Sequence, residues 1–192
     1  LNKKFTSDYW GKLIDNLKSK GYLVNWLHMF PTDNNPKYKK NLNNLNYINN
    51  TSDNENHYFL ENYTTFRIFL LTLINYIKFT LITKKFANQK SSLNCKKNNI
   101  LFWDLLKNDW QDSLLGSNLM RNILIYYQFS EFVKNISKQK KILYLHEGQG
   151  WEKALLNAVK KTHKSELIAV IQSPIRFWDI KIFSGLKNEK VH

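Results

Sequence analysis

The sequence has little cysteine and few acidic residues. Its single cysteine, Cys95, excludes a disulfide framework and a cysteine-rich metal site, and a reducing compartment fits best. Aspartate and glutamate number 15 against 29 lysines and arginines, so the formal net charge is +14. Such a balance attracts phosphates in nucleic acid, nucleotide-sugars or anionic lipid headgroups. Runs such as "NNPKYKKNLNNLNYINN" are equally typical of a compositional bias, so charge alone does not identify the partner.

Several other signatures are missing. No recognisable nucleic-acid motif accompanies the scattered lysines, so no nucleic-acid partner is expected. The histidines other than His146 lack ligand-type spacing, and no metal is expected. The turn "EGQG" lacks the third glycine of a dinucleotide fingerprint. The chain begins at Leu1 without a signal peptide, which favours a cytoplasmic piece of a longer protein.

The first third of the chain predicts a helix, a strand and a loop. Hydrophobic residues make up 43% of the sequence, enough to build the core of one domain over 1–192. Residues 7–31 predict a helix with Gly21 at its left-handed C-cap, followed by the buried strand "YLVNWLHMF". The polar, asparagine-rich segment 32–57 predicts a long surface loop.

The most hydrophobic segment, residues 66–82, predicts an apolar helix. It is short for a membrane span and is interrupted by Arg67, Asn75 and Lys78. A buried or partner-facing helix is favoured over an interfacial membrane helix, and a true span is disfavoured. A lysine-rich connector follows. On the interfacial interpretation, residues 66–97 form a peripheral membrane contact with anionic headgroups.

The second half of the chain predicts a βαβ unit. Residues 100–136 indicate one short element and then a long amphipathic helix that begins at Asp112 or Ser113. The strand "ILYLHE", the helix "WEKALLNAVKKTH" and the strand "ELIAVIQ" follow. At this spacing the two strands should be parallel neighbours, so the fold class is α/β.

Polar side chains follow both strands of this unit. Glu147 and Gln149 come after the first strand, and Gln172 and Ser173 after the second. In an open α/β sheet, ligands bind beyond the carboxyl ends of the strands, so these groups should share one edge. Glu147 can then act as a general base that deprotonates an acceptor hydroxyl.

The neighbouring residues allow two interpretations each. Glu152 either joins the site or only complements the helix dipole. Trp151 either stacks on a sugar or packs against the sheet. His146 precedes Glu147 directly, so the two side chains point to opposite faces of the strand, and His146 is better interpreted as a hydrogen-bonded supporting residue.

Three stretches together resemble a bacterial family of surface-carbohydrate biosynthesis proteins, glycosyltransferases related to the two-lobed GT-B type. They are "SDYWGKLIDNLKSKGYLVNWLH", "DWQDSLLG", and "YLHEGQGWEKALLNAVKK" with "IQSPIRFWDIKIF". The chain departs from the family pattern twice. Gly148 stands where the family has Asn, and Gln172 stands where it has His.

The resemblance implies a Rossmann-like three-layer parallel sheet, one lobe of a GT-B enzyme. It implies a nucleotide-sugar as donor substrate, no cofactor, and a glycan or lipid-linked acceptor at the cytoplasmic face of the membrane. Too few residues follow position 183 for a second lobe, so transfer by this chain alone is not expected. The competing interpretation is a non-catalytic basic module that docks on a membrane surface or a partner protein.

The residues taken from the motifs and the strand ends fall into three groups. Glu147 is the catalytic candidate. The substrate-binding candidates are His28, Gln149, Glu152, Gln172, Ser173, Arg176 and Asp179. The aromatic wall would consist of Trp26, Trp151 and Trp178. Arg176 would contact a phosphate or a sugar carboxylate. Core packing remains the alternative for each aromatic, and pairing with Arg176 or Lys181 remains the alternative for Asp179.

Overall fold

The protein is a mixed α/β chain of helices and short strands. A computed structural model describes residues 5–29, 38–86, 94–95, 100–162 and 165–171. The chain divides into two compact units, Leu1–Tyr63 and Thr64–His192. The predicted α/β class is confirmed. Each sheet within the described residues has two strands, and no three-layer sheet is seen there. The single Rossmann-like domain over 1–192 stays a prediction.

The first unit contains one parallel strand pair. Its elements are α1 (Leu13–Ser19), β1 (Val24–His28), α2 (Tyr38–Thr51), β2 (Glu55–Phe59) and a 3-10 turn (Leu60–Tyr63). The register places Trp26 of β1 opposite His57 of β2. Gly21 follows α1 with a φ of 77° and bonds through its N–H to the Lys18 carbonyl at 2.9 Å, so the predicted C-cap is confirmed.

The predicted loop 32–57 is wrong over its described part, because α2 and β2 occupy most of it. Asparagine is a poor helix former, but Leu42, Leu45 and Ile48 recur at helical spacing, and Leu45 is buried. Asn49 then holds β2 in place. Its Oδ1 accepts the His57 N–H at 2.7 Å, and its Nδ2 donates to the His57 carbonyl at 2.9 Å.

The second unit contains the predicted βαβ motif. Its elements are α3 (Phe66–Thr83), β3 (Asn94–Cys95), β4 (Ile100–Leu101), α4 (Phe102–Leu115), α5 (Ser117–Asn135), β5 (Lys141–His146), α6 (Gly150–Thr162) and β6 (Glu166–Ile171). Strands β3 and β4 are antiparallel, whereas β5 and β6 are parallel neighbours, as predicted. Helices α5 and α6 supply core residues, including Phe129, Val133 and Val159.

The long amphipathic helix begins later than predicted. Asp112 and Ser113 lie in the last turns of α4, and α5 starts only at Ser117, after Gly116. Gly116 has extended backbone angles, φ −98° and ψ −160°, which end one helix before the next begins. A Cβ at this position would lie 2.8 Å from the Asp112 Cα, so the turn needs glycine.

Helix α3 is the predicted apolar helix. Thr65 caps it, accepting the Ile68 N–H on its hydroxyl at 3.2 Å. Its buried residues are Ile68 and Thr72. The segment Phe66–Phe86 is long and apolar enough to cross a membrane by length and composition, a property that core helices of soluble proteins share. Only 11% of its apolar 18-residue window is buried.

Candidate functional site

Glu152 organises the turn between β5 and α6. It is the third residue of α6, and one of its oxygens accepts the N–H groups of Glu147 at 2.9 Å and Gln149 at 2.7 Å. The bond to Gln149, the residue before the helix, is the glutamate half of a capping box. The other oxygen lies 2.6 Å from Nδ1 of His146. Because a carboxylate only accepts, Nδ1 carries the proton.

The same turn presents the catalytic candidate to solvent. Glu147 and Gln149 are exposed, whereas Glu152 is only 3% exposed. Gly148 between them has a φ of 72°, a conformation that glycine adopts without strain. The register pairs His146 with Ile171, so the ends of β5 and β6 lie side by side, as the sequence predicts. Glu147 therefore follows a strand end at this shared edge, with the backbone on both sides of Gly148 fixed by Glu152.

The ring of Trp151 contacts two core aromatics. It meets the Tyr144 ring edge-on, with centroids 6.2 Å apart, and lies nearly parallel to the Phe129 ring at 6.4 Å. Both partners are buried. These contacts correspond to the packing interpretation of Trp151, and they hold the first turn of α6 against the core.

The remaining candidates of the second unit are Gln172, Ser173, Arg176, Trp178 and Asp179. All five lie outside the described residues, so their place at the strand edge stays a prediction.

A second polar cluster lies in the first unit and includes two predicted site residues, Trp26 and His28. The indole N–H of Trp26 donates to Glu55, and the Lys18 ammonium donates to the same carboxylate at 2.8 Å. Nε2 of His57 lies 3.4 Å from Glu55, and Nδ1 of His57 lies 2.9 Å from Nε2 of His28. Glu55 and His57 are 6% and 2% exposed, so this is a buried polar chain.

The negative charge of Glu55 determines which ring nitrogens carry protons in this cluster. Nε2 of His57 lies 3.4 Å from Glu55, outside hydrogen-bond geometry, but the negative charge of the carboxylate favours the His57 proton on Nε2, so that Nδ1 of His57 accepts from Nε2 of His28. Burial, followed by the neighbouring His57, lowers the pKa of His28 to about 4. Burial likewise lowers the pKa of His57. Both rings are therefore neutral at pH 7, and the neutral His57 ring can accept on Nδ1.

Glu55 stays ionised despite its burial. Burial opposes its charge, but hydrogen bonds from Lys18 and Trp26 outweigh that effect and hold the pKa of the carboxyl below its ordinary value. The negative charge of Glu55 thus anchors one end of the chain, and His28, at the carboxyl end of β1, forms the other.

Phe5 covers this cluster, and a cavity adjoins it. The rings of Trp26, His28 and His57 are within 14° of parallel, and Phe5 stands nearly perpendicular to all three at 4.9–5.3 Å. The cavity of about 240 Å³ is lined in part by Trp26 and Glu55. Its polar lining can hydrogen-bond a small hydroxyl-bearing ligand.

Sequence reasoning missed Glu55 and His57, which fell in the predicted loop. The available signal was the alternation of Glu55, His57 and Phe59 on one face of a strand. Among the described residues, no group of three or more His, Cys, Asp or Glu side chains is placed to hold a metal ion.

A scan against protein-family models, a search of curated proteins and a search of solved structures each found no match to this chain.

Proposed function

We propose that this chain is part of a glycosyltransferase of bacterial surface polysaccharide biosynthesis, which moves a sugar from a nucleotide-sugar to a glycan or lipid-linked acceptor. One observation carries the proposal. Glu147 is exposed at the carboxyl end of a parallel strand, in a turn whose backbone Glu152 fixes. A positioned carboxylate at this edge is what base-assisted transfer requires. Sugar transfer is proposed as the reaction because the three sequence stretches described above resemble surface-carbohydrate biosynthesis proteins.

The transfer step follows from these groups. Glu147 takes the proton of the acceptor hydroxyl while the hydroxyl oxygen forms a bond to the anomeric carbon of the donor sugar. The bond from that carbon to the diphosphate oxygen breaks, and its electron pair leaves with the nucleoside diphosphate. The N-terminus of α6 begins at Gly150 and favours negative charge nearby, which supports the leaving diphosphate. Arg176 would supply a further cation to the phosphates.

The finer architecture belongs to the same proposal. The parallel β5–α6–β6 unit would form part of a Rossmann-like three-layer sheet in one lobe of a GT-B enzyme at the cytoplasmic face of the membrane. The support for it is the parallel pairing and the polar turn at the carboxyl end of β5. Transfer would then need the second lobe, so the isolated chain should bind ligands without turning them over.

Ligand binding tests the proposal on the chain itself. Ligand-observed NMR with a panel of nucleotide-sugars and oligosaccharides should show binding that weakens about tenfold or more in a Glu147→Ala, Gln149→Ala double variant, because both side chains would contact sugar hydroxyls. Lys153→Ala, an exposed change one residue beyond Glu152, is the matched control and should leave binding unchanged. Failure of every sugar and nucleotide-sugar to bind would overturn the proposal.

Transfer is measured on the protein encoded by the complete reading frame. Glu147→Gln keeps the size of the side chain but removes the base, and it should lower kcat about 100-fold or more while KM changes little. Full activity of this variant would assign the base to another residue. Turnover by the isolated chain would contradict the requirement for a second lobe.

A further inference from the structure

Helix α3 exposes a continuous apolar face along its whole length. Six residues at spacings of one, three or four form this face, which is called the α3 ridge: Phe66, Leu70, Leu73, Ile74, Ile77 and Leu81. Between 39% and 76% of each of these residues is exposed. Soluble monomers seldom expose a contiguous apolar patch larger than a few hundred Å². A face of this kind marks a binding surface.

Positive charge borders the ridge. Arg67 and Lys78 are exposed and stand eleven residues apart, about three helical turns, so they lie on the same side of α3 as Ile74 between them. Lys84 and Lys85 are exposed where the helix ends. No acidic residue occurs in the sequence from 66 to 97, and the whole chain carries +14. The ridge therefore has the composition of a helix that lies on an anionic bilayer.

Side-chain hydrogen bonds attach the second half of α3 to α4 and α5. The Tyr127 hydroxyl accepts from Asn75 at 2.8 Å, and the Leu115 carbonyl accepts from Tyr76 at 2.6 Å. At the end of the helix, the Thr83 hydroxyl donates to the Leu114 carbonyl at 2.8 Å. The two supporting helices expose charged side chains at positions such as 107, 109 and 121.

This attachment decides how α3 can meet a membrane. A helix that crosses the bilayer would carry the charged surfaces of α4 and α5 into the hydrocarbon, at a high energetic cost. A helix that lies parallel to the surface inserts only the α3 ridge and leaves its supporting helices in water.

We propose that the α3 ridge docks on an anionic membrane surface, with the helix parallel to it, the ridge at the acyl boundary, and Arg67, Lys78, Lys84 and Lys85 among the headgroups. This proposal does not depend on sugar transfer. The positive border favours an anionic lipid surface over a second copy of this chain, because two like-charged faces repel each other.

Vesicle co-sedimentation tests the docking. Phosphatidylcholine vesicles are compared with vesicles that contain about one third phosphatidylserine, at low and at physiological salt. The protein should bind the anionic vesicles, and the binding should weaken as salt rises, because exposed charges are screened. Glu147→Gln should bind as the parent does, which separates docking from the proposed catalysis.

Two variants divide the surface into its apolar and charged parts. Ile77→Glu, Leu81→Glu places charge on the ridge at residues that are 53% and 68% exposed, and vesicle binding should fall at least about tenfold. Lys84→Glu, Lys85→Glu should weaken binding to anionic vesicles about 25-fold or more, since each cation near the surface contributes roughly fivefold. Lys138→Glu, Lys153→Glu makes the same change in net charge at exposed sites outside α3 and should weaken binding far less.

Circular dichroism verifies that each variant is folded, and the lysine variant keeps the test valid if charge on the ridge impairs folding. Equal binding to both kinds of vesicle would overturn the proposal, and so would equal losses in the α3 and control lysine variants. The parent protein could instead fail to bind vesicles and form a dimer that the ridge variant converts to a monomer. That result would assign the α3 ridge to contact with a second copy of the chain.

Discussion

Replacing Glu152 separates its hydrogen bonds from its charge. Alanine removes the acceptor of three donors, the N–H groups of Glu147 and Gln149 and Nδ1 of His146. Each lost hydrogen bond costs about 1 kcal/mol here, because Glu147 and Gln149 are exposed and water can partly replace the buried carboxylate. The free energy of unfolding should therefore fall by about 3 kcal/mol, which lowers Tm by roughly 6–12 °C for a chain of this size.

Glutamine at the same position should be tolerated. Its carbonyl oxygen can replace the oxygen that accepts both backbone N–H groups, and its amide can face His146, whose other tautomer accepts from it. The expected loss is about 1 kcal/mol. Urea unfolding measures both variants, and hydrogen exchange reports the Glu147 and Gln149 amides, which should lose protection only in Glu152→Ala. If glutamine destabilised the protein as much as alanine, the charge of Glu152, and not its capping bonds, would hold the turn.

Three further predictions concern the first unit and the α4–α5 turn. Burial lowers the pKa of His28 from its ordinary value of 6.5 to about 4, so the unfolded state binds more protons than the folded state between these two pH values. The free energy of unfolding should therefore fall as the pH falls from 6.5 to about 4. His28→Gln should flatten this pH dependence when it is measured by urea unfolding. Trp26→Phe removes a hydrogen-bond donor to buried Glu55 and should lower the free energy of unfolding by about 1–3 kcal/mol. Trp110→Phe should lower it less, because the Trp110 indole donates to the Phe86 carbonyl at an exposed site. Equal losses in the two variants would refute the importance of the Glu55 contact. Gly116→Ala should lower the stability measured by thermal unfolding by about 1–3 kcal/mol, because the new Cβ would lie 2.8 Å from the Asp112 Cα. Gly150→Ala, whose Cβ would have its nearest contact at 3.4 Å, should change the stability very little. An unchanged stability in Gly116→Ala would show that the turn can adjust to a side chain.

The sequence predicts well where one pattern dominates. The strands β5 and β6 are short apolar runs, and α6 between them is amphipathic, so their order and parallel pairing could be read directly. Helix α3 was predicted from its hydrophobicity, but the sequence left open whether its apolar face is buried or exposed, because hydrophobicity alone does not decide between the two.

The failures have a common physical cause, which is that tertiary contacts outweighed local preference. Helix α2 forms from asparagine-rich sequence because Leu45 is buried and Asn49 bonds β2. Glu55 and His57 alternate on one face of β2, but His28 precedes them by 27 and 29 positions, so no local spacing reveals that the three side chains meet. The capping role of Glu152 could have been read from its place three residues after Gln149, but its bond to His146 needed the folded turn.

Asn49 also determines at which edge a further strand can pair with the β1–β2 sheet. Its amide binds both the N–H and the carbonyl of His57, the two groups through which another strand would pair at this position of β2. That border of the sheet is therefore closed at its centre by a side chain. Any additional strand, from this chain or from another, must join along β1 instead, so a larger sheet built on this pair can extend in one direction only.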